Sequence, residues 1–117
     1  MSNRHLTRSI VLQTLFEWDM NIEEGNADAE TPEAILDRNI TEFTDTTKDK
    51  PFMKRLLDGV LTKQDDLDAV ITKAAPEWPL DKIARVDRNI LRIGLYELLF
   101  ADRAEVPEKV AINQASE

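Results

Sequence analysis

Cysteine is absent from these 117 residues, which excludes disulfide scaffolds, thiolate metal sites and cysteine nucleophiles. Three glycines and five prolines, widely spaced, form no low-complexity linker and no nucleotide-cradling loop, and supply too few turn signals for a β-sandwich. The one histidine, His5, has no second histidine or cysteine with which to hold a metal, and no nucleophile is placed beside it. Carboxylates are plentiful, but they alternate with bases as solvated charges on helix faces do. No metal, no cofactor and no catalysis are therefore expected. No apolar run reaches the length of a signal peptide or a membrane span, so a cytoplasmic protein is expected.

What is present is charge, unevenly placed. The net charge of −8 argues by itself against a nucleic-acid binder. Its distribution changes that reading. Residues 1–16 hold Arg4, His5 and Arg8 and no acid, whereas residues 17–49 hold eleven acids against Arg38 and Lys48. From Lys82 to Arg92 four bases face the single acid Asp87. Two basic patches thus flank an acidic block. The length predicts one domain over residues 1–117, able to fold alone with little stability to spare.

Apolar spacing predicts helices throughout, and the fold class is all-α. Val11, Leu15, Trp18 and Ile22 line one face of a helix from about Arg4 to Glu23. Thr31-Pro32 reads as an N-cap followed by proline in the first turn, opening a helix with Ile35, Leu36, Ile40 and Phe43 inward. Asp49-Lys50-Pro51 opens a third, whose pattern runs through Leu67, Val70 and Ile71 to Ala75, either unbroken or in two pieces joined near Thr62. Pro76 and Pro79 end it. A long helix then runs from Asp87, or from Leu80, to about Ala101, with Ile90, Leu91, Gly94, Leu95 and Leu98 inward and Asp87 as a candidate N-cap. A last one starts at Val106-Pro107. Phe16, Trp18, Phe52 and Trp78 sit at core spacings.

Arg85, Arg88 and Arg92 fall at i, i+3 and i+7 and project from one side of the long helix, with Tyr96 a turn further on. Arginine forks beside an aromatic ring suit phosphate binding and base stacking on single-stranded RNA. The simpler reading of the same spacing is a solvated face balanced by Asp81, Asp87 and Glu97. At the other end, Arg4, His5 and Arg8 oppose the positive end of the helix dipole, a small cost that a bound anion would reverse. Ordinary terminal solubilising charge is the simpler reading of this pattern.

Four segments, in order, resemble the NusB family of transcription antitermination factors. They are Arg8–Trp18 (RSIVLQTLFEW), Phe52–Val60 (FMKRLLDGV), Trp78–Leu98 (WPLDKIARVDRNILRIGLYEL) and Val106–Ala115 (VPEKVAINQA). The third with the fourth is the specific part. The resemblance implies two small helical bundles packed crosswise, in an adaptor without cofactor or turnover. It implies that the adaptor joins the ribosomal protein NusE, binds boxA-type RNA and enters an RNA polymerase antitermination complex. By position it assigns Arg4, His5, Arg8, Arg88 and Arg92 to RNA and Asp87 to the protein partner. An acidic adaptor suits a basic ribosomal protein, which would supply part of the positive surface for RNA. The family's pattern continues past Glu117, so the second bundle is expected to be incomplete here and its bared apolar surface to favour a homodimer. The competing expectation is a NusB-like accessory domain of an rRNA cytosine methyltransferase. That enzyme would need a nucleotide-binding sheet and catalytic cysteines beyond this domain.

Overall fold

Thr7, Val11 and Leu15 recur every fourth residue, one helical turn apart, and all three are buried. With Ile10 and Thr14 beside them they give α1 (Arg4–Glu23) a continuous inward face. In the computed structural model, residues 4–44 and 48–100 are described. The chain leaves α1 through Gly25, whose φ of 76° lies in the left-handed region that favours glycine.

Thr31 caps α2 (Pro32–Phe43) as expected. Its Oγ1 accepts a hydrogen bond from the Ala34 amide at 3.1 Å. Asp49 precedes α3 (Lys50–Thr62). The pattern beyond is two helices, not one: Lys63 ends α3 and starts α4 (Gln64–Ala74), close to the junction expected at Thr62. Asp65 and Asp66 lie in the first turn of α4 and Lys73 in its last, the arrangement the helix dipole favours. A short 3-10 turn at Leu80–Lys82 leads into α5 (Arg85–Leu99), which begins between the two starts the sequence allowed. Every regular element among the described residues is a helix, and none is long and apolar enough to cross a membrane. The helix expected from Val106 lies outside the described residues.

One core draws on all five helices. α1 packs on α2, α3 and α5, while α5 also meets α3 and α4. Ile10, Val11 and Leu15 meet Leu36, Ile40, Phe52, Met53, Leu56, Leu57, Val60, Leu67 and Ile93 in a single cluster. Each large aliphatic side chain so buried contributes roughly 1.5–3 kcal/mol. At the α3–α5 crossing Gly59 admits the ring of Tyr96, since a Cβ there would lie 2.1 Å from Tyr96 Cζ.

Several inward assignments are corrected. Trp78 is 67% exposed, in the link between α4 and α5. Ile22, Phe43 and Val70 are also exposed, and Phe16 and Trp18 are half-buried. The largest departure is in α5, where Asn89, Arg92 and Ile93 face the core. Ile90, Leu91 and Leu98, expected inward, are exposed, and of that set Leu95 alone packs on the core. Helical spacing separates an apolar stripe from a polar one, and burial follows the apolar stripe only when the opposing surface is apolar. Opposite α5 it carries carboxylates. Asp87 is not the N-cap either: Ala84 holds that position, and Asp87 lies exposed in the first turn.

Gly59→Ala should destabilise the protein by about 1–3 kcal/mol, the range for overpacking, and shortening the opposing ring in Gly59→Ala/Tyr96→Leu should recover part of that loss in urea unfolding. A pH series tests the α1–α2 contact. Burial pushes the Glu17 carboxyl up, but hydrogen bonds from Arg38, Gln13 and Asn39 outweigh it, and the net shift is downward from 4.5. A carboxyl with a depressed folded pKa contributes stability above its unfolded value and loses it as pH falls through the folded one. The stability gap between the parent and Glu17→Gln should therefore be full at neutral pH and shrink below 4.5.

Candidate functional site

α1 and α5 run antiparallel, and the contacts along their length sort the arginines into two groups. At the Glu23 end, three guanidinium groups from α5 meet three carboxylates from α1 and α4. Arg85 pairs with Glu23 at 2.6 Å, and Arg88 reaches both Glu23 at 2.8 Å and Asp19 at 3.2 Å. Arg92 grips Asp68 through two parallel bonds of 2.7 and 2.8 Å and donates to Asp19 at 3.0 Å. Asn89 Nδ2 adds a further bond to the same Asp19 oxygen at 3.0 Å, so that oxygen accepts from three side chains. Arg88 also donates to the Leu80 carbonyl at 3.3 Å, tying the 3-10 turn to α5.

Arg88 and Arg92, which the resemblance assigns to RNA, are engaged within the protein. The Arg92 side chain is 5% exposed and that of Arg88 11%. Burial works to lower the Arg92 pKa, but the Asp68 hydrogen bonds and the Asp19 charge outweigh it, so the group is held more firmly charged. The Glu23 carboxyl lies below its usual range, held chiefly by the Arg85 hydrogen bond. Nor is this a solvated face: Asp19, Glu23 and Asp68 balance the arginines, and Asp81 and Asp87 take no part.

At the opposite end of α5 the basic start of α1 is more open. Arg4 stacks its guanidinium 3.7 Å from the Phe52 ring centroid, within cation–π range. Its Nη1 is buried without a hydrogen-bond partner, as are Arg85 Nε and Arg88 Nε. His5 is exposed. Arg8 forms a bidentate pair with Glu97 at 2.7 and 2.9 Å and lies 6.0 Å from Phe52. Its side chain keeps 35% of its surface open, so the pair is within reach of solvent and of a competing anion. His5, Arg8, Ser9 and Glu97 rim a groove between α1 and α5, floored by Leu12, Ile90 and Ile93, of about 310 Å³. Among the described residues no group of three or more histidine or acidic side chains is placed to hold a metal.

The structure therefore brings Arg4, His5 and Arg8 together and sets Arg88, Arg92 and Asp87 apart from them. Sequence reasoning missed Glu97 as the partner of Arg8, and Asp19 and Asp68 as partners of Arg92. One signal was available for Asp19: it continues the inward series Val11, Leu15 by another four residues, an acid on an apolar stripe.

The NusB family model matches residues 5–117. The chain belongs to the NusB family. A transcription antitermination protein NusB from Desulforudis audaxviator is 38% identical over 97% of this chain and 76% of its own length. That from Bacillus subtilis is 39% identical over 97% of this chain and 77% of its own length. That from Chloroflexus aggregans is 37% identical, covering 99% and 73%. No solved structure matches the chain. The family and the all-helical fold agree with what the four sequence segments implied.

Stability should separate the two groups of arginines. Arg92→Ala leaves Asp19 and Asp68 partly uncompensated and should cost about 3–5 kcal/mol, and Arg92→Lys should recover little because the paired fork is lost. Arg8→Ala breaks a part-exposed pair and should cost under about 1 kcal/mol. Equal losses in chemical denaturation would mean that the Asp19 cluster is no more than a surface ion pair.

Proposed function

We propose that this chain is an adaptor in transcription antitermination that binds boxA-type single-stranded RNA together with the ribosomal protein NusE, within an RNA polymerase antitermination complex. The observation that carries this is the acid-free start of α1, in a NusB-family chain whose named relatives are antitermination proteins. There Arg4 lies against the Phe52 ring, Arg8 is part-exposed, and His5 is exposed beside them. These three residues make the RNA contact. Arg88 and Arg92 serve it indirectly, by fixing α5 against α1.

Glu97 bears on affinity. A phosphate approaching Arg8 must compete with a carboxylate already in bidentate geometry. The chain alone therefore binds RNA weakly, and the basic partner supplies the missing positive surface. Asp87, exposed in the first turn of α5, and Trp78, exposed in the preceding link, give that partner a charge and an apolar anchor.

Anisotropy titrations of labelled boxA RNA at fixed salt, with and without NusE, test this. NusE should tighten binding. Arg4→Ala and Arg8→Ala should each weaken the complex by about 1–3 kcal/mol and flatten the slope of log affinity against log salt by about 0.7. Glu97→Gln should strengthen binding by freeing Arg8, and Arg38→Ala should leave it unchanged. Equal affinity with and without NusE, together with arginine variants that bind like the parent, would overturn the reading.

A further inference from the structure

A second feature lies at the end of α5 away from the Asp19 cluster. There the last turn of α3, the Lys63 junction and the last turn of α5 enclose an open cleft of about 440 Å³. Tyr96 and Phe100 stack along one wall, ring centroids 6.2 Å apart and inclined by 29°. Lys63 Nζ stands 5.1 Å from the Phe100 centroid. Arg55, Asp58 and Thr62 complete the lining.

These two rings differ in what holds them. Tyr96 is anchored, its ring filling the space above Gly59. Phe100 is 41% exposed and adds nothing to the buried core. An aromatic ring left open to solvent, in register with a fixed second ring, is a platform for a further planar group. The polar lining narrows what that group can be. Lys63 and Arg55 bring positive charge, Asp58 a carboxylate and Thr62 a hydroxyl that both donates and accepts. With two bases against one acid, the lining disfavours a cationic guanidinium and tolerates an anion. A neutral heterocycle with donors and acceptors on its edge, attached to a phosphate backbone, fits the whole set.

We propose that this cleft is a stacking subsite for one unpaired nucleobase, with Phe100 as the outer platform and Lys63 beside the adjoining phosphate. It rests on the RNA-binding reading above and extends it. Glu97, the partner of Arg8, and Tyr96 both lie towards the end of α5, on neighbouring faces of the helix.

The test uses the full chain at low salt with two 12-nucleotide probes, oligoadenylate and the same ribose-phosphate backbone without bases. Phe100→Ala should weaken oligoadenylate binding about five- to a hundredfold, the range for one lost base stack, leave the salt slope unchanged, and leave the abasic probe unaffected. Phe100→Tyr and Phe100→Trp should bind oligoadenylate like the parent, and circular dichroism should show the helices intact in all three. Equal binding of oligoadenylate by parent and Phe100→Ala would overturn the subsite while leaving the arginine contact standing. So would an equal loss on both probes, which would make Phe100 a structural residue. A parent chain that binds neither probe would overturn the subsite, and the boxA titration with NusE decides the arginine contact separately.

Discussion

Asp19 is the constraint on which the arrangement of the helices turns. Its side chain is 9% exposed, and the carboxylate would be costly to bury alone. It is tolerated because α5 brings Arg88, Asn89 and Arg92 to one of its oxygens, and α4 brings Asp68 to the far side of Arg92. None of those donors satisfies its neighbours without the others. The packing of α5 on α1 and α4 is thus specified by charge matching as well as by Ile93. Replacing such a cluster with apolar side chains can be neutral or stabilising in other proteins. What the cluster adds here is register: sliding α5 by one turn along α1 would leave several charges unpaired at once.

The same cluster changes how the overall charge is to be understood. The formal net charge of −8 counts all the acids alike, but Asp19, Glu23 and Asp68 are neutralised in pairs with arginines, and Glu17 and Glu30 share Arg38. The acids left unpaired among these helices include Asp87, exposed at the start of α5. Basic character survives at the start of α1, where the sequence holds no acid before Glu17 and, among the described residues, Glu97 arrives from α5. A chain can be acidic on balance and still present a local anion site when its charges are segregated by packing.

Much of this was legible in the sequence, and the failures have a common cause. Helix positions followed from period and punctuation: Thr31-Pro32 opened α2, and Pro76 limited α4. Local signals are reliable there because caps and proline act within a few residues. What failed was the orientation of α5. Its two stripes, Ile90-Leu91-Leu98 and Asn89-Arg92-Tyr96, could be read from spacing, but the choice between them depends on Asp19 and Asp68, dozens of residues away. The arginine series was noticed for the right reason, its single-sided spacing. Its carboxylate partners could not be read with it, because they are not neighbours in the chain. Trp78 failed differently: a large apolar residue between Pro76 and Pro79 sits where the backbone turns, and a turn need not face inward.

On the proposed function, the two ends of α5 divide stability from binding. At its start Arg92 is buried and bidentate on Asp68, and Arg88 and Arg92 are each shared between two carboxylates, so a ligand would have to break more than it could replace. At its end the charges are held one to one, by Glu97 on Arg8 and by a ring beside Lys63. Exchanging a part-exposed pair of that kind for a phosphate costs little, because median surface pairs are worth under about 1 kcal/mol. A reversible adaptor needs both properties at once, in different places. The frame must not rearrange when a partner docks, and the contacts that recognise the partner must be weak enough inside the free chain to be given up. Antiparallel packing of α1 on α5 meets both needs with one pair of helices, because it puts the acids of α1 against the arginines of α5 at one end and leaves the bases of α1 at the other.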